Sequence, residues 1–331
     1  MNDFAPKASP NIKTNTVYEP GLVSVIIPTY NRSKLVTRAI DSALQQTYPN
    51  CEIIVVDDGS TDDTCEVLAS YKDRIKYIYQ ENSGHAAARN TGIRAARGKW
   101  VAFLDSDDIW LPEKLSRQIE ILRSSSAKVC YTNVFWNTGE GQSSEENQLQ
   151  DKDNKGSVKV FDEPFDLLLF EPTSQCMITL VVERDLLIHV GCFDELINRH
   201  VDVRLCFRLA FETPFAYVNE TLAVADRQPG LERVSVKYSE GFASCCGDAI
   251  TRSAAYLQSG SKSKRIIKEL RHQLGHYVSK MALCACVENN NSAARRFALD
   301  GLYFGGSWRT YRRCIAVLLC PWLVKRLGTQ V

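Results

Sequence analysis

Short apolar runs alternate with amphipathic stretches over the first 135 residues. Residues 22–27 form a β-branched run that ends at Pro28, and residues 35–44 carry apolar side chains at helical spacing. Strands that alternate with helices in this way predict a parallel sheet covered by helices. Further strands are predicted at 52–56, 75–79, 100–104 and 129–135. One further helix is predicted to begin near Asp62, which suits the N-cap position, and two more at 86–96 and from Pro112 to about 123.

The second half of the chain has a weaker pattern. Residues 137–157 are polar and rich in Gly, Asn, Gln and Ser, which predicts a mobile loop. A strand is predicted at 175–182, a helix at 202–211, and two short strands at 215–218 and 221–225. Almost the whole segment after about residue 238 is predicted to be helical. We therefore expect a loose leader (1–20), an α/β domain (21–235) and a helical C-terminal region (236–331).

The composition is that of an ordinary globular protein. The chain has 331 residues, 44% of them hydrophobic and 24% charged, and its formal net charge is +1. This balance gives no reason to expect a nucleic-acid partner. The charge is uneven, however: from Lys262 to the end there are 13 Lys and Arg against 3 acids, a local +10, so the preceding residues carry −9.

The twelve cysteines are scattered and do not form the compact framework of a small secreted domain. The N-terminus has no signal-peptide pattern, and no apolar run reaches the ~20 residues that span a bilayer. We therefore expect free thiols and a cytoplasmic protein.

Polar residues cluster where three predicted strands end. In an open parallel sheet, ligands bind at the carboxyl ends of the strands. Carboxylates gathered at one edge repel each other unless a cation lies among them, and Mg²⁺ or Mn²⁺ suits such oxygen ligands. Asp and Gly after a strand can also simply form a turn, and for the pair Asp57–Asp58 this interpretation stays open. The three clusters are Pro28-Thr29-Tyr30-Asn31, Asp57-Asp58-Gly59-Ser60 and Asp105-Ser106-Asp107-Asp108.

Four ordered blocks resemble the nucleotide-binding half of the family 2 glycosyltransferases, which have the GT-A fold. The resemblance continues more loosely through 190–195 and 201–210 and fades after about 235. The blocks are VSVIIPTYNR at 23–32, IIVVDDGSTDDT at 53–64, GHAAARNTGIRAARG at 84–98 and VAFLDSDDIWLPEKL at 101–115.

The resemblance implies a role for each matching position. Pro28, Thr29 and Tyr30 resemble the loop beside the nucleotide base, and Asp57 matches a carboxylate that accepts a hydrogen bond from the base; Asp58 belongs to the same nucleotide-sugar site.

Two acids match the family's D-x-D motif. Asp107 is expected to bind the metal, and Asp105 to reach the ribose or a metal-bound water. Arg89 and Asn90 match residues that begin the helix beneath the site, where a capping or packing role is the alternative.

The same resemblance places a catalytic base at Asp202. The family carries a Glu-Asp-x-Asp-like run on a helix of the second half, and here Val201 replaces the usual Glu and Arg204 the second Asp. Asp202 could instead be an N-cap, since it starts the helical run. Asp194 and Glu195 are rivals for the base, but a turn role suits them better.

The segment from Trp308 to Arg326 mixes aromatic, aliphatic and basic residues. Such a basic amphipathic helix can lie on an anionic membrane surface. It can equally pack on a folded domain and leave its basic face in water.

The sequence thus predicts a metal-dependent, inverting glycosyltransferase with Mn²⁺ or Mg²⁺. Its donor would be a nucleotide-diphosphate sugar, commonly one whose base is uracil, and its acceptor a glycan or a lipid-linked molecule. The C-terminal helices would make peripheral contact with the membrane. The alternative from another class is a non-catalytic nucleotide-sugar-binding or scaffold protein, for which Val201 and Arg204 are the only support. A nucleotidyltransferase is disfavoured because no Gly-rich, Lys-bearing phosphate loop is present near the N-terminus.

Overall fold

The computed structural model describes residues 18–137, 155–162, 164, 176–195, 201–210, 212–227, 279, 282, 291–304 and 308–319. The chain divides into two compact units, Met1–Leu231 and Glu232–Val331. The predicted leader up to residue 17 and most of the predicted loop (138–154) lie outside the described residues.

The first unit alternates strands and helices, as the apolar pattern predicted. The strands in its described part are β1 Glu19–Thr29, β2 Cys51–Asp57, β3 Lys76–Tyr79, β4 Gly98–Phe103, β5 Ile109–Trp110, β6 Val129–Asn137, β7 Val158–Phe161, β8 Val181–Glu183 and β9 Phe215–Asp226. The helices are α1 Ser33–Leu44, α2 Thr64–Ala69, α3 His85–Ala95, α4 Lys114–Ser124, α5 Arg184–His189 and α6 Val201–Ala210, with 3-10 turns at Lys72–Arg74 and Met177–Thr179.

These strands form one sheet in the order β3-β2-β1-β4-β8-β6-β9-β5, and β7 pairs with β9 off this path. The pairs β3–β2, β2–β1, β1–β4 and β6–β9 are parallel, and they include the longest ladders. Antiparallel pairing joins the two parallel parts through β8. The sheet is therefore mainly parallel, with antiparallel strands in its second half.

The core lies around β1, which has β2 on one side and β4 on the other. Val23, Val25, Ile26 and Ile27 have no exposed surface. A parallel strand covered on both faces needs apolar side chains at consecutive positions, which explains the run at 25–27. The buried Ser24, which interrupts the longer run, donates a hydrogen bond to Oε1 of Glu52 (2.6 Å).

Three strand predictions in the second half were wrong or incomplete. Residues 177–179, expected in a strand, form a 3-10 turn, and only Val181–Glu183 is extended. The two strands expected at 215–218 and 221–225 are one continuous strand, β9, whose irregular register opposite Thr132 and Asn133 accommodates the polar residues between them. The short elements β5, β7 and α5 were not predicted, because a few residues carry too little periodicity.

Two helix starts also differ from the prediction. The N-cap of α2 is Asp63, and Asp62 instead accepts hydrogen bonds from the backbone N–H groups of Ser33 and Thr64. Helix α4 begins at Lys114, two residues after Pro112, whose carbonyl oxygen accepts a hydrogen bond from the N–H of Thr47.

In the second unit, the described helices are α7 Asn291–Phe304 and α8 Trp308–Leu319. They pack through small side chains, with Ala294 and Ala298 of α7 against Cys314 and Val317 of α8. The remainder of the predicted helical region lies outside the described residues, apart from the single helical positions 279 and 282. Within the part of the chain that the structure describes, every helix is too short or too polar to cross a bilayer.

Candidate functional site

The three polar clusters meet because β2, β1 and β4 are parallel neighbours whose carboxyl ends lie at one edge of the sheet. Thr29, at the end of β1, is in register with Asp57, at the end of β2. On the other side, Ile26 of β1 is in register with Phe103, two residues before Asp105. The edge therefore receives the Thr29, Asp57 and Asp105 regions side by side.

Backbone and side-chain hydrogen bonds hold the loop that follows β1 (residues 30–32, the β1 loop) against the loop that follows β2 (residues 58–63, the β2 loop). The N–H of Asn31 donates to Oγ of Ser60 (2.9 Å), and Oδ1 of Asn31 accepts from the N–H of Thr61 (2.7 Å). Asn31 has a φ of 51°, a left-handed conformation that Asn tolerates better than most residues. This bend leaves the Tyr30 side chain 47% exposed beside the half-buried Pro28.

Thr29 carries a buried hydroxyl at the same place. Its side chain is 3% exposed, and its Oγ1 has no hydrogen-bond partner among the described atoms. A buried polar atom without a partner costs free energy.

Asp57 is wholly buried and holds the β2 loop in shape. Its Oδ1 accepts a hydrogen bond from the N–H of Ser60 (2.8 Å), and its Oδ2 accepts one from the hydroxyl of Tyr77 (3.0 Å). Burial and the hydrogen bonds with Cys65 and Asp57 raise the pKa of Tyr77, which therefore remains a donor at neutral pH. A carboxylate can accept about four hydrogen bonds, so these two do not exhaust Asp57.

Asp58 fixes the segment that leads into α3. Its Oδ1 accepts from Nε2 of Gln80 (2.7 Å) and from the N–H of Ser83 (2.9 Å), and its Oδ2 accepts from the N–H of Gly84 (2.9 Å). Gly84 is the N-cap of α3 with a φ of 88°, a conformation that favours glycine. Asp58 thereby determines where α3 starts.

Arg89 lies in the second turn of α3, since the helix begins at His85, so the expectation that Arg89 and Asn90 begin this helix was wrong. Its Nη2 donates to Oδ1 of Asp105 over 2.6 Å. The Arg89 side chain is 8% exposed, and its guanidinium also lies over the ring of Phe193. Arg89 thus links α3 to the D-x-D segment.

Asn90 has a structural role. Its Nδ2 donates to the carbonyl oxygen of Phe193 (2.9 Å) and to Oε1 of Glu195 (2.7 Å), and its Oδ1 accepts from the N–H of Phe193 (2.9 Å). The packing role that we considered for this residue therefore holds for Asn90, which ties α3 to residues 193–195.

The D-x-D turn gathers three acids with different surroundings. Asp105 and Asp107 are half-buried, whereas Asp108 is buried and its Oδ1 accepts from the N–H of Asp226 at 2.9 Å. Burial, followed by the charges of Asp105 and Asp107, raises the pKa of Asp108 well above its usual range. Arg38 pairs with Oδ2 of Asp226 at 3.2 Å and so adds a positive charge behind the turn.

The surroundings of the D-x-D turn suit a hard divalent cation. Asp105 and Asp107 offer half-buried carboxylate oxygens, which are the donors that Mg²⁺ and Mn²⁺ prefer, and Arg89 pairs with Asp105. In the described part of the chain, no three His, Cys, Asp or Glu side chains form a ready metal cage. Mg²⁺ usually binds through one or two carboxylates plus substrate phosphates, so Asp107 would need the phosphates to complete such a site.

Asp202 lies in the first turn of α6. Its charge and that of Asp105 both act on the imidazole of His85, and both act on the thiol of Cys176. Two acids that are 97 positions apart in the sequence are therefore within electrostatic reach of the same two side chains.

The positions at which the chain departs from the family pattern have defined contacts. Val201 is 2% exposed, so an apolar residue suits this position. Nη1 of Arg204 lies 2.8 Å from Oδ2 of Asp194. Arg208 donates from Nη1 to the carbonyl oxygen of Val190 (2.6 Å) and from Nη2 to that of Cys192. Together they anchor α6 to residues 190–194.

Asp194 and Glu195, the rivals for the base, are engaged in these anchoring contacts. Asp194 pairs with Arg204, and Glu195 accepts the hydrogen bond from Asn90. The turn role that the sequence favoured for them agrees with these contacts.

His85 interacts electrostatically with three acids of the first unit, and sequence reasoning did not single it out. It is half-buried at the first position of α3, and burial and the charge of Arg89 lower its pKa, whereas Asp105, Asp202 and Asp58 act in the opposite direction. Its position between Gly84 and the matched Arg89 was a signal, but the proximity of Asp202 was not readable from the sequence.

Comparison with known proteins agrees with the resemblance seen in the motifs. Residues 24–179 match the family model described as glycosyl transferase family 2. An uncharacterized glycosyltransferase of Rickettsia prowazekii is 36% identical over 211 residues, which are 64% of this chain and 65% of that protein. The Escherichia coli UDP-Glc:alpha-D-GlcNAc-diphosphoundecaprenol beta-1,3-glucosyltransferase WfaP is 41% identical over 116 residues, 34% of this chain and 46% of that protein. The chain thus spans about two thirds or less of these relatives.

The fold is similar to that of Staphylococcus aureus TarS residues 1–349, solved in complex with UDP-GlcNAc. The TM-score is 0.66 at 18% identity, and the match covers 92% of this chain and 89% of that one. The predicted α/β fold with a helical C-terminal portion is therefore confirmed. Residues 24–179, just under half of the chain, match the model of glycosyl transferase family 2, and they lie in a GT-A-like α/β unit.

Proposed function

We propose that this protein is an inverting glycosyltransferase that moves a sugar from a nucleoside diphosphate, commonly UDP, to a hydroxyl group of a glycan or lipid-linked acceptor in surface polysaccharide or glycoconjugate biosynthesis. The observation that carries this proposal is the action of Asp105 and Asp202 on the same imidazole, that of His85. This shared action supports a single site that contains both the D-x-D segment and the candidate base.

The nucleotide would lie across the ends of β1 and β2. Pro28, Thr29 and Tyr30 offer an exposed aromatic ring and a buried hydroxyl that lacks a partner, and both suit a base and its ribose. Asp57 or Asp58 would accept the hydrogen bond from the base. Both loops are already held by internal hydrogen bonds, so little conformational entropy is lost on binding.

The diphosphate would lie beside the D-x-D turn, with Asp107 as the protein ligand of Mn²⁺ or Mg²⁺. Such an ion offsets the charge that develops on the leaving diphosphate. Asp105, held by Arg89, would orient the ribose or a metal-bound water. The family relationship supports a divalent ion, and the cluster of acids in the turn is consistent with it.

Asp202 would act as the general base. The acceptor hydroxyl gives its proton to this carboxylate while its oxygen bonds to the anomeric carbon, and the bond to the diphosphate breaks with its electron pair leaving on the diphosphate oxygen. One carboxylate within reach contributes about 10²–10⁴-fold to the rate. A single displacement inverts the anomeric configuration and needs no covalent intermediate.

The names of two similar proteins support the substrate classes. WfaP carries UDP-glucose as donor and a diphosphoundecaprenol-linked sugar as acceptor in its name, and TarS was solved with UDP-GlcNAc. A nucleotide-sugar donor and a lipid-linked or glycan acceptor are therefore the first substrates to test here.

The test is the release of nucleoside diphosphate from UDP-, GDP- and dTDP-sugars with Mn²⁺ or Mg²⁺, followed by EDTA. Wild type is compared with Asp107→Ala and Asp202→Asn, and with His189→Ala as a control at an exposed position. We expect metal-dependent release that both site variants lose and the control keeps. Binding without release, even with lipid-linked and glycan acceptors added, would favour the non-catalytic binding protein.

We also propose that the second unit contacts an anionic membrane surface. Tyr311, Ile315 and Leu319 recur every fourth residue of α8 and are exposed, and Leu299 and Tyr303 are exposed on α7. Exposed arginines lie on both helices (Arg295, Arg296 and Arg312). Apolar and basic side chains on one helix pair suit the boundary between headgroups and acyl chains of a lipid surface.

Sedimentation with lipid vesicles tests this contact. Wild type should sediment with vesicles of phosphatidylcholine and phosphatidylglycerol and much less with phosphatidylcholine alone. Ile315→Ser combined with Leu319→Ser should abolish the difference. Failure of the wild type to sediment with either vesicle would refute the contact and would leave the transferase proposal standing.

A further inference from the structure

The imidazole of His85 is within electrostatic reach of acids from three segments of the first unit. The charges of Asp58, Asp105 and Asp202 all act on its imidazole. One of these acids comes from the β2 loop, one from the D-x-D turn and one from the base helix α6. None of the roles assigned above uses His85.

The backbone position of His85 is fixed by its neighbours in α3. Gly84, directly before it, donates its N–H to Oδ2 of Asp58 (2.9 Å), which sets the start of the helix. Arg89, four residues later and so on the same helix face, donates to Oδ1 of Asp105 (2.6 Å). His85 is therefore attached to a segment clamped at both ends, and it lies half-buried on the face of α3 that meets the D-x-D turn.

The proposed reaction requires the transferred sugar to lie in this same place. The diphosphate is beside Asp107, and the anomeric carbon must be near Asp202, so the sugar ring spans the gap between the D-x-D turn and α6. A neutral imidazole offers one hydrogen-bond donor and one acceptor, which matches a sugar hydroxyl or an acetamido group. Neutral hydrogen bonds of this kind discriminate between sugars that differ at one hydroxyl.

We infer that His85 is a specificity-determining residue that binds a hydroxyl or acetamido group of the transferred sugar, and not the nucleotide. This inference rests on the proposed function. It assigns the choice of sugar to the first residue of α3, whereas the β1 and β2 loops bind the nucleotide.

The experiment compares the affinity for UDP with the affinity for UDP-sugars by calorimetry, in the presence of Mn²⁺. Wild type, His85→Ala, His85→Asn and the control His189→Ala are each titrated with UDP, UDP-glucose, UDP-galactose and UDP-GlcNAc. We expect UDP to bind all four proteins alike. The preferred UDP-sugar should bind His85→Ala about tenfold more weakly, which is the worth of one or two neutral hydrogen bonds.

Two further results follow if the inference is correct. His85→Asn, which keeps a hydrogen-bond donor and an acceptor, should recover part of the lost affinity. In His85→Ala, the affinities for UDP-glucose and UDP-galactose should differ less than they do in wild type. Equal weakening of UDP and UDP-sugar binding would overturn the inference, because His85 would then act on the nucleotide or on the fold. Unchanged binding of every ligand would overturn it as well.

Failure of the proposed function gives a different result. If there is no nucleotide-sugar site, wild type binds neither UDP nor any of the three UDP-sugars, and the inference falls with the function. If wild type binds them but releases no nucleoside diphosphate in the assay above, the transferase fails and the His85 variants still test the contact with the sugar. If wild type binds UDP-sugars and the His85 variants bind them equally well, only the inference about His85 is refuted.

Discussion

Nη1 of Arg204 lies 2.8 Å from Oδ2 of Asp194, so the base helix α6 is tied by an ion pair to the segment that precedes it. Arg204 replaces an acid that is usual in the family, and an acid there would face Asp194 with like charge. Arg204, one partner of this ion pair, lies two residues after Asp202 on the same helix. We therefore propose that this pair positions the candidate base.

A charge exchange tests this positioning role. Arg204→Asp should lower kcat about two- to tenfold with little change in KM for the donor, because a partly exposed pair is worth about 1 kcal/mol or less. The double variant Arg204→Asp, Asp194→Arg should recover most of the loss. Steady-state kinetics at saturating donor measures kcat for both variants. A double variant with the same kcat as Arg204→Asp would contradict the positioning role of the ion pair.

Arg89 should be required to orient Asp105. Arg89→Met removes the 2.6 Å hydrogen bond and the guanidinium that packs on Phe193, so Asp105 loses its fixed position. We expect kcat/KM for the donor to fall about 10- to 100-fold, the scale on which small misplacements act. Arg89→Lys keeps the charge but lacks the planar guanidinium, so its kcat/KM should lie between those of wild type and Arg89→Met. Donor hydrolysis measures the series, and wild-type activity in Arg89→Met would exclude the role.

Lys114 should make stability depend on pH. It is wholly buried, its Nζ donates to Oε1 of Gln118 (2.7 Å) and lies over the ring of Trp110, and burial lowers its pKa to about 7. Between pH 7 and about 10 the unfolded chain binds this proton and the folded chain does not, so the free energy of unfolding rises with pH. The rise is at most about 1.4 kcal/mol per pH unit.

The difference between Lys114→Met and wild type isolates this effect. The free energy of unfolding of Lys114→Met relative to wild type should be highest at pH 7 and should decrease as the pH rises to about 10. Denaturant unfolding at three pH values measures it. Lys128→Met is the control. Glu183 raises the pKa of Lys128, so the contribution of this residue to the free energy of unfolding is constant between pH 7 and about 10. A constant difference for Lys114→Met would contradict the prediction.

Gly92 should tolerate no side chain. A Cβ at this position in α3 would lie 2.4 Å from Cγ2 of Ile26, which is wholly buried in β1. Alanine favours a helix over glycine by about 1 kcal/mol, but overpacking costs about 1–3 kcal/mol or more when the neighbour cannot move. Gly92→Ala should therefore lower the free energy of unfolding, measured with denaturant. Arg94→Ala, at an exposed position of the same helix, should change it little, and a stabilised Gly92→Ala would refute the clash.

The sequence alone determined the first half of the fold and the chemical types at the site. The strands around β1 are buried on both faces, so their apolar runs are long and unambiguous, and the polar residues that follow them are necessarily at the sheet edge. This local pattern was enough to place Pro28 to Tyr30, Asp57, Asp58, Asp105 and Asp107 near one another, and the motif carried the resemblance to the family.

Only the tertiary structure decided what depends on contacts between distant residues. The electrostatic action of Asp202 on His85, the pairing of Arg204 with Asp194 and the pairing of β6 with β9 all join different segments of the chain. No periodicity records such contacts, because they arise when helices and strands pack. Short elements such as β5 and β7 exist for the same reason: β9 supplies the hydrogen-bond partners that their own few residues could not.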